Sequence, residues 1–452
     1  MAGTAQVAGS RTRSARLFAD TGRHRGPDRY WWWVAAITAG AVVVRVLYVL
    51  LVARHVKLGL DSVGYLFLGH GVANGDGYSN PTLLFAGRRV ATANFPPLYP
   101  VFIAAVDKLG LTTTTVTQVA SSVVGAATVP LIAGMGKRLV DRRTGLAAAA
   151  LVAVWPFLLA GDGSMMSETI AVPVVTGAVL ATVWAVQPSG EKRFDARRFL
   201  VVGALFGIAA LARAEAPIVM VCVVGLALLT RRAATRARLV AVGATLLAFA
   251  VVSVPWVTYV VRDFGTSGLW ATDSAKTLAG ANCATTFGGP RIGLWDVSCE
   301  TSPDWPRVTE ADAVRANRRR ATHFVRTHLA RAPLVASVRV LRTAGLWSPR
   351  QQRDFETVES RSRTWQWFAW WCYLLALPFA AWGIARLVRR NPAARAIAGL
   401  FVGIAFASAL SDGNQRIRLA AEPEILLCAV VGVNAMWSKM SPLRRRPVPA
   451  AG

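Results

Sequence analysis

An acidic residue, Asp61, follows the first strongly apolar segment of the chain by only a few positions, so its carboxylate lies close to a membrane surface. A carboxylate in that environment is costly unless it is paired or used in chemistry. Arg54 and Lys57 are the nearest basic residues and could neutralise it as a local ion pair. Asp61 is therefore a candidate for catalysis, with a local ion pair as the structural alternative, and Tyr65 is a candidate substrate contact close by.

Two more acidic residues stand near the start of the apolar segment 167–187: Asp162 precedes it, and Glu168 is its second residue. Ser167 can cap the helix predicted there, and Glu168 then occupies its first turn, where the helix dipole favours an acid. A structural role in that turn is one interpretation of Glu168. The other is contact with a ligand or an ion, and the same pair of interpretations applies to Asp162.

Five arginine and glutamate candidates lie at the ends of other apolar segments. Arg213 and Glu215 stand between two short ones, where they can pair with each other or contact a ligand. Arg416 and Arg418 precede the last apolar segment in the run RIRLAAEP, which contains Glu422. A guanidinium binds phosphate through two charge-assisted hydrogen bonds, so both arginines are candidate phosphate ligands, with anchoring at the membrane interface as the alternative.

The cysteines and histidines predict one disulfide and no metal site. Cys283 and Cys299 lie in the polar segment 262–363, where an oxidising compartment would permit a bond between them. The five histidines show no spacing typical of metal ligands, so no zinc site is predicted, and a divalent ion bound in another way stays open. Glycine patterns for binding a soluble nucleotide are absent from the sequence, and no cofactor is predicted.

Composition identifies an integral membrane protein. The 452 residues are 54% hydrophobic, and apolar runs of membrane-spanning length recur along the chain. The net charge of +27 comes from basic residues between these runs, which indicates membrane topology and argues against nucleic-acid binding. Spans are predicted at 31–53, 116–136, 145–161, 167–187, 199–213, 215–230, 238–261, 365–387, 396–411 and 417–437.

The positive-inside rule sets the orientation. If the apolar stretch 97–109 spans, the basic cluster at 137–143 falls outside; if it lies at the outer surface, every basic cluster falls inside. The predicted fold class is therefore an all-α polytopic membrane protein with about ten spans, juxtamembrane helices at the outer face and both termini cytoplasmic.

Five regions follow from this topology. The tails are predicted to be cytoplasmic, and the segment between the two groups of spans is predicted to be extracytoplasmic, with loop in its first half and a basic helix, broken near Pro333, from about Thr309 to Leu346. That helix would bind an anionic lipid or glycan, or lie on phospholipid headgroups. The regions are a tail at 1–30, a membrane module at 31–261 with its first outer loop at 54–115, the segment 262–363, the membrane helices at 364–438 and a tail at 439–452.

The order of these motifs resembles the GT-C superfamily of membrane glycosyltransferases. An acid past the first span, Tyr65, a glycine-rich stretch and the run PPLYP at 96–100 are similar to the first outer loop of the bacterial protein mannosyltransferases and aminoarabinose transferases. Glu168 and the run from Arg416 to Glu422 resemble further sites of that group. The protein mannosyltransferases carry a second acid where this chain has Ser62, so the acid's role rests on Asp61 alone.

This resemblance implies an enzyme that transfers a sugar from a polyprenyl-phosphate donor to a glycan, lipid or protein acceptor at the outer face of the plasma membrane. Asp61 would act as general base and the arginines would hold the departing phosphate, with inversion at the anomeric carbon. The implied partners are the lipid-linked donor, the acceptor and membrane lipids, without nucleic acid. A transporter or flippase of a lipid-linked or anionic solute, and a glycan polymerase or ligase, remain as alternatives.

Overall fold

A computed structural model describes residues 29–187, 194–229, 234–265, 270–302, 304 and 307–440. The predictions for most of the first tail, for nearly all of the last tail, and for the basic residues Lys192, Arg193, Arg231, Arg232 and Arg444 to Arg446 fall outside these ranges. Within the described part the chain is all-α: it holds no β-strand, only two isolated bridges, Ser79 with Ala91 and Asp304 with Val308. The prediction of an all-α fold is confirmed.

Twelve helices precede the polar segment of the chain. They are α1 (Arg29–Leu51), α2 (Leu60–Ala73), α3 (Pro81–Phe85), α4 (Leu98–Lys108), α5 (Thr114–Ala126), α6 (Thr128–Leu139), α7 (Arg142–Val154), α8 (Pro156–Gly163), α9 (Glu168–Val186), α10 (Ala196–Ala210), α11 (Ala216–Leu228) and α12 (Thr235–Phe264). Nine more follow: α13 (Asp273–Ala281), α14 (Ala284–Phe287), α15 (Glu310–Thr327), α16 (Ala332–Thr343), α17 (Pro349–Val358), α18 (Arg363–Arg390), α19 (Arg395–Leu410), α20 (Gln415–Leu419) and α21 (Glu422–Met440).

Six helical stretches of the described chain are long and apolar enough to cross a membrane, and a seventh is added if α7 and α8, bent by 49° at their junction, form one span. The predicted count of about ten is not confirmed. The 13 residues of α11 extend only about 20 Å, short of a hydrocarbon core of about 30 Å. The 11-residue α4 is shorter still, which agrees with its assignment to the surface. The six stretches are Arg29–His55, Thr114–Leu139, Glu168–Val186, Thr235–Phe264, Arg363–Arg390 and Pro392–Leu410.

Small residues bring the membrane helices close together. A Cβ atom on Gly383 of α18 would lie 1.8 Å from the carbonyl oxygen of Cys428, and one on Gly432 of α21 would lie 2.1 Å from that of Phe379. A side chain at either glycine would therefore push α18 and α21 apart. Association through small residues is typical of membrane helices, because lipid tails supply no hydrophobic force that drives one helix onto another.

The segment between α12 and α18, here called the interspan segment (described residues 265, 270–302, 304 and 307–362), is more helical than predicted. Its first half is not simply loop, because α13 lies within it. Its second half has the predicted break, where α15 ends at Thr327 and α16 begins at Ala332. Thr309 and Asp312 form a capping box at the start of α15. A disulfide joins Cys283 to Cys299, whose Cα atoms are 6.3 Å apart, as the sequence predicts.

Candidate active site

Asp61 lies in the first turn of α2, and the start of that helix is fixed by contacts with distant parts of the chain. The backbone N–H of Gly59 donates to Oγ of Ser360 at 2.7 Å, and the hydroxyl of Ser62 lies 2.7 Å from the same oxygen. A Cβ atom on Gly59 would lie 1.9 Å from the carbonyl oxygen of Val358, so only glycine permits this approach. The turn after α17 is thereby held against Asp61.

The partner of Asp61 is Arg416, which is 355 positions away in the sequence; neither Arg54 nor Lys57 pairs with it. Nη1 of Arg416 donates to Oδ2 of Asp61 at 3.0 Å. The Asp61 side chain remains 38% exposed, and its Oδ1 has no hydrogen-bond partner among the described residues. This carboxylate is therefore held in place by one oxygen and accessible through the other.

Arg416 joins three carboxylates from different parts of the fold. Its Nε donates to Glu168 at the start of α9, and its Nη1 donates to Glu359 at 2.7 Å as well as to Asp61. Nη2 donates to no described residue. Arg416 is only 9% exposed, and a buried charge is costly unless it is paired. The three acids compensate its charge, while Nη2 remains able to donate a hydrogen bond to a ligand.

A second guanidinium shares Glu168. Nη1 of Arg213 donates to Oε1 of Glu168 at 2.8 Å, and Nε donates to Glu215 at 2.6 Å. The pairing of Arg213 with Glu215 that the sequence left open is thus present, and the link to Glu168 adds to it. As in Arg416, Nη2 of Arg213 has no described partner. Glu168 is more than a first-turn acid, because it connects the two arginines.

Glu359 was not singled out in the sequence. It follows α17 by one residue, and the only signal is an acid a few positions before a predicted span. Burial raises the pKa of Glu359 to about 7; the Arg416 charge opposes this shift, and the charges of Asp61 and Glu356 reinforce it. The three acids around it likewise hold the pKa of Arg416 well above its usual value, although burial acts in the opposite direction.

A cavity of about 650 Å³ opens in front of this network. Five charged residues of the ion-pair network line it, and we call them the charged wall: Asp61, Arg213, Glu215, Glu359 and Arg416. Tyr65 also lines the cavity, with its hydroxyl 3.3 Å from Oγ of Ser167. Other lining residues come from elsewhere in the interspan segment, and we call six of them the interspan wall: Trp270, Asp273, Trp295, Glu300, Arg318 and Phe355.

Two of the predicted substrate-binding residues, Arg418 and Glu422, lie away from the cavity. Nε of Arg418 donates to Glu422 at 2.8 Å, and its guanidinium carbon lies 3.7 Å from the ring centroid of Tyr373. Nε1 of Trp155 donates to the other oxygen of Glu422 at 2.7 Å. Residues two apart on a helix are separated by about 200° around its axis, so Arg416 and Arg418 point in opposite directions. Arg418 and Glu422 form a buried structural pair.

Asp162 is also away from the cavity. It accepts from Nε of Arg45 at 2.8 Å, and both side chains are buried. A Cβ atom on Gly125 would lie 2.2 Å from Oδ1 of Asp162, so α5 passes directly over this carboxylate. The pair connects α1, α5 and α8 inside the bundle. Among the described residues, no group of three or more His, Cys, Asp or Glu side chains is arranged to hold a metal ion.

Comparison with known proteins gives one family and several solved structures. The family model described as dolichyl-phosphate-mannose-protein mannosyltransferase matches residues 94–257, which include Glu168, Arg213 and Glu215 but not Asp61 or Arg416. Comparison with curated protein sequences gives no significant match.

The structural similarities span nearly the whole chain. The archaeal oligosaccharyltransferase AglB from Archaeoglobus fulgidus, in complex with an inhibitory peptide and a dolichol-phosphate, has a TM-score of 0.53 and 14% identity over 92% of this chain and 51% of its own. The same oligosaccharyltransferase with zinc and sulfate has a TM-score of 0.51 and 12% identity over 90% and 49%. ArnT from Cupriavidus metallidurans bound to undecaprenyl phosphate has a TM-score of 0.46 and 14% identity over 93% and 81%.

This chain spans about half the length of the oligosaccharyltransferase chains that it matches. At these identities the similarity concerns the fold. Together with the family match, it confirms the resemblance to the GT-C superfamily that the first loop predicts.

Proposed function

We propose that this chain, a multi-pass membrane protein with the GT-C fold, is a glycosyltransferase that moves a sugar from a polyprenyl-phosphate donor to an acceptor hydroxyl. One observation carries the proposal: a half-exposed carboxylate, Asp61, lies beside two arginines that each have an unused nitrogen, at the edge of one cavity. A base next to an anion site is what transfer from a sugar phosphate requires.

In the proposed reaction the acceptor oxygen attacks the anomeric carbon while the bond from that carbon to the phosphate oxygen breaks. Oδ1 of Asp61 takes the proton of the acceptor hydroxyl. Nη2 of Arg416 and Nη2 of Arg213 donate hydrogen bonds to the departing phosphate, whose negative charge grows in the transition state. A single displacement of this kind inverts the anomeric carbon.

The ion pairs also fix the positions of the proposed base and of the phosphate ligands. Nη1 of Arg416 donates to Oδ2 of Asp61 and orients the carboxylate, which leaves Oδ1 for the acceptor hydroxyl. Glu168 holds both arginines in position from behind. Glu168 would therefore act through the arginines, as a positioning residue.

We propose that the cavity opens at the extracytoplasmic face of the membrane. The basic ends of α6 and α18 lie together, since Nδ2 of Asn391 donates to the carbonyl oxygen of Leu139 at 3.2 Å. The cavity lies at the opposite end of α18, next to Arg363. Basic residues favour the cytoplasmic side, which supports an extracytoplasmic site in the plasma membrane and a cytoplasmic position for both termini.

The test is a transfer assay in proteoliposomes with a panel of polyprenyl-phosphate sugars and a crude cell-envelope extract as acceptor. Wild-type protein should release polyprenyl phosphate from at least one donor. Asp61→Asn should lower that rate by about 10²–10⁴-fold, because the amide cannot accept a proton. The matched control is Asp76→Asn, which removes an acid of the same loop that pairs with Arg89 away from the cavity.

A transporter or flippase would instead move the intact donor across the bilayer without breaking the sugar–phosphate bond. Wild-type turnover in Asp61→Asn, or translocation without cleavage, would contradict the proposal.

A further inference from the structure

The interspan wall takes no part in the proposed chemistry, yet it has a composition of its own. Trp270, Trp295 and Phe355 present aromatic rings to the cavity, and Asp273 and Glu300 lie among them. The six named residues of this wall carry two acids and one arginine, whereas the charged wall carries three acids and two arginines. Three of these six residues are aromatic, and Arg318 is the one arginine of the six, whereas the charged wall has two arginines that each have an unused nitrogen, so the charged wall is the better phosphate site.

Trp295 is held rigidly. A Cβ atom on Gly280 would lie 2.4 Å from the indole ring, so the ring lies directly against the backbone of α13. Phe355 meets it edge-on, with ring centroids 6.4 Å apart. The disulfide between Cys283 and Cys299 closes the loop that contains Trp295. A flat ring that is fixed before the ligand arrives loses little conformational entropy on binding.

The carboxyl groups beside it are suited to hydroxyl ligands. Burial raises the pKa of Glu300 to about 7, and the neighbouring Asp273 adds to the shift. Burial also raises the pKa of Asp273, whose Oδ1 lies 3.5 Å from Nζ of Lys276. Oε1 of Glu300 is buried and has no hydrogen-bond partner among the described residues. A carboxyl group that is neutral part of the time can both donate to and accept from a sugar hydroxyl.

The two walls can serve one reaction, since their residues line the same cavity. In a single displacement the acceptor approaches the anomeric carbon from the side opposite the departing phosphate. If the phosphate lies on Arg213 and Arg416, the acceptor lies away from these arginines, where the interspan wall can contact it.

We infer that Trp295, Asp273 and Glu300 form an acceptor subsite for a neutral carbohydrate, an inference that rests on the proposed function. The C–H face of a sugar ring carries a slight positive charge and packs on the negative face of the indole, while its hydroxyl groups reach the two carboxyl groups. The negative charge of those groups disfavours a uronic-acid or phosphate-bearing glycan. The acceptor is therefore a neutral glycan end, in preference to a peptide or an anionic polymer.

The experiment measures binding by the full-length protein in detergent, in the presence of undecaprenyl phosphate. The probes are neutral linear hexasaccharides of glucose, mannose, galactose and arabinose, a hexasaccharide of galacturonic acid and a Ser/Thr-rich peptide. At least one neutral hexasaccharide should bind, and Trp295→Ala should weaken it about tenfold or more, since stacking and burial of a ring contribute about that factor. Trp371→Ala, which removes a lipid-side tryptophan of α18 that is 58% exposed, should have no effect.

Binding of undecaprenyl phosphate is measured separately, because it tests the proposed donor site independently of the acceptor subsite. Trp295→Ala should leave it unchanged and Arg416→Ala should weaken it; loss of this binding in Trp295→Ala would assign the indole to the donor instead. If Trp295→Ala misfolds, Trp295→Phe and Glu300→Gln take its place, with a smaller loss expected for each. The inference would be overturned if no neutral glycan binds wild type, or if these substitutions leave glycan binding unchanged. Tighter binding of the peptide or of the uronic acid would also overturn it.

Discussion

The charged wall and the interspan wall of the cavity differ in how their residues are held. The charged wall depends on ion pairs between residues far apart in the sequence, such as Asp61 with Arg416, in addition to the local pair of Arg213 with Glu215. In the interspan wall, Trp295 is held by local contacts: Gly280 lies against its ring, and the disulfide closes the loop that contains it. Burying charges costs several kcal/mol per ion unless each is paired, so the charged wall tolerates change least. We therefore expect substitutions there to affect turnover and those on the interspan wall to affect acceptor recognition.

We expect the largest difference between two substitutions when the donor affinity of Arg416→Ala is compared with that of Arg418→Ala. Removing Arg416 leaves three acids without their common partner and takes away a proposed phosphate contact, so donor affinity should fall by one to two powers of ten, about 1.5 to 3 kcal/mol. Arg418→Ala should lower thermal stability but not the affinity of correctly folded protein for donor. Titration with a polyprenyl-phosphate sugar, alongside thermal unfolding, separates the two effects.

Arg416→Lys should restore part of the affinity, since an ammonium keeps the charge but not the planar fork. Equal donor affinity in wild type and Arg416→Ala would move the phosphate site elsewhere, with Arg213 the next candidate.

A smaller effect is expected from Gly59→Ala, which tests whether the charged wall depends on the approach of α2 to α17. The added methyl group would lie 1.9 Å from the Val358 carbonyl oxygen, so the start of α2 must shift and carry Asp61 with it. Turnover should fall about tenfold, since small displacements of reacting groups are costly. Gly71→Ala, on the same helix with 3.4 Å of clearance to Leu84, should be nearly neutral. Unchanged turnover in Gly59→Ala would mean that this junction does not position Asp61.

Glu359→Gln should abolish a few-fold rise of the donor KM with pH. The pKa of Glu359 is raised to about 7, so the side chain is largely neutral below that pH and gains a negative charge above it. The negative charge of Glu359 lies next to the Arg416 guanidinium, beside the proposed phosphate site. It should therefore repel the donor phosphate, and the donor KM of wild type should rise as pH increases from 6 to 8. Glu359→Gln should keep a low KM across this range, because the amide stays neutral. A wild-type profile that is flat, or identical to that of the variant, would refute this role.

The smallest effect concerns the interspan wall. Replacing both Cys283 and Cys299 by serine removes the bond that closes the Trp295 loop, so the acceptor KM should rise a few-fold while kcat and donor KM stay near wild type. Steady-state kinetics with acceptor and donor varied separately would measure this split. The matched control is Cys222→Ser, at a free cysteine in α11. A fall in kcat with unchanged acceptor KM would mean that the two walls are not functionally separate.

The sequence by itself determined the membrane character, the helical fold class and the loop that carries Asp61. These features follow from local patterns: apolar runs need a bilayer or a core, and an acid beside such a run is exceptional. The run containing Arg416 and the polar turns before α9 and α11 were likewise recognisable, because charged residues at the ends of apolar helices are few.

Which of these residues meet depends on how the helices pack. Arg416 and Arg418 are equivalent in sequence, but the direction of each side chain around α20 places one at the cavity and the other in a buried pair with Glu422. Asp162 and Glu168 both lie near the start of one span, yet the packing of α1 and α5 buries Asp162 against Arg45. Glu359 joins the charged wall because Gly59 lets α2 approach α17. Ion pairs between residues hundreds of positions apart depend on how the helices pack, and local sequence patterns do not predict that packing.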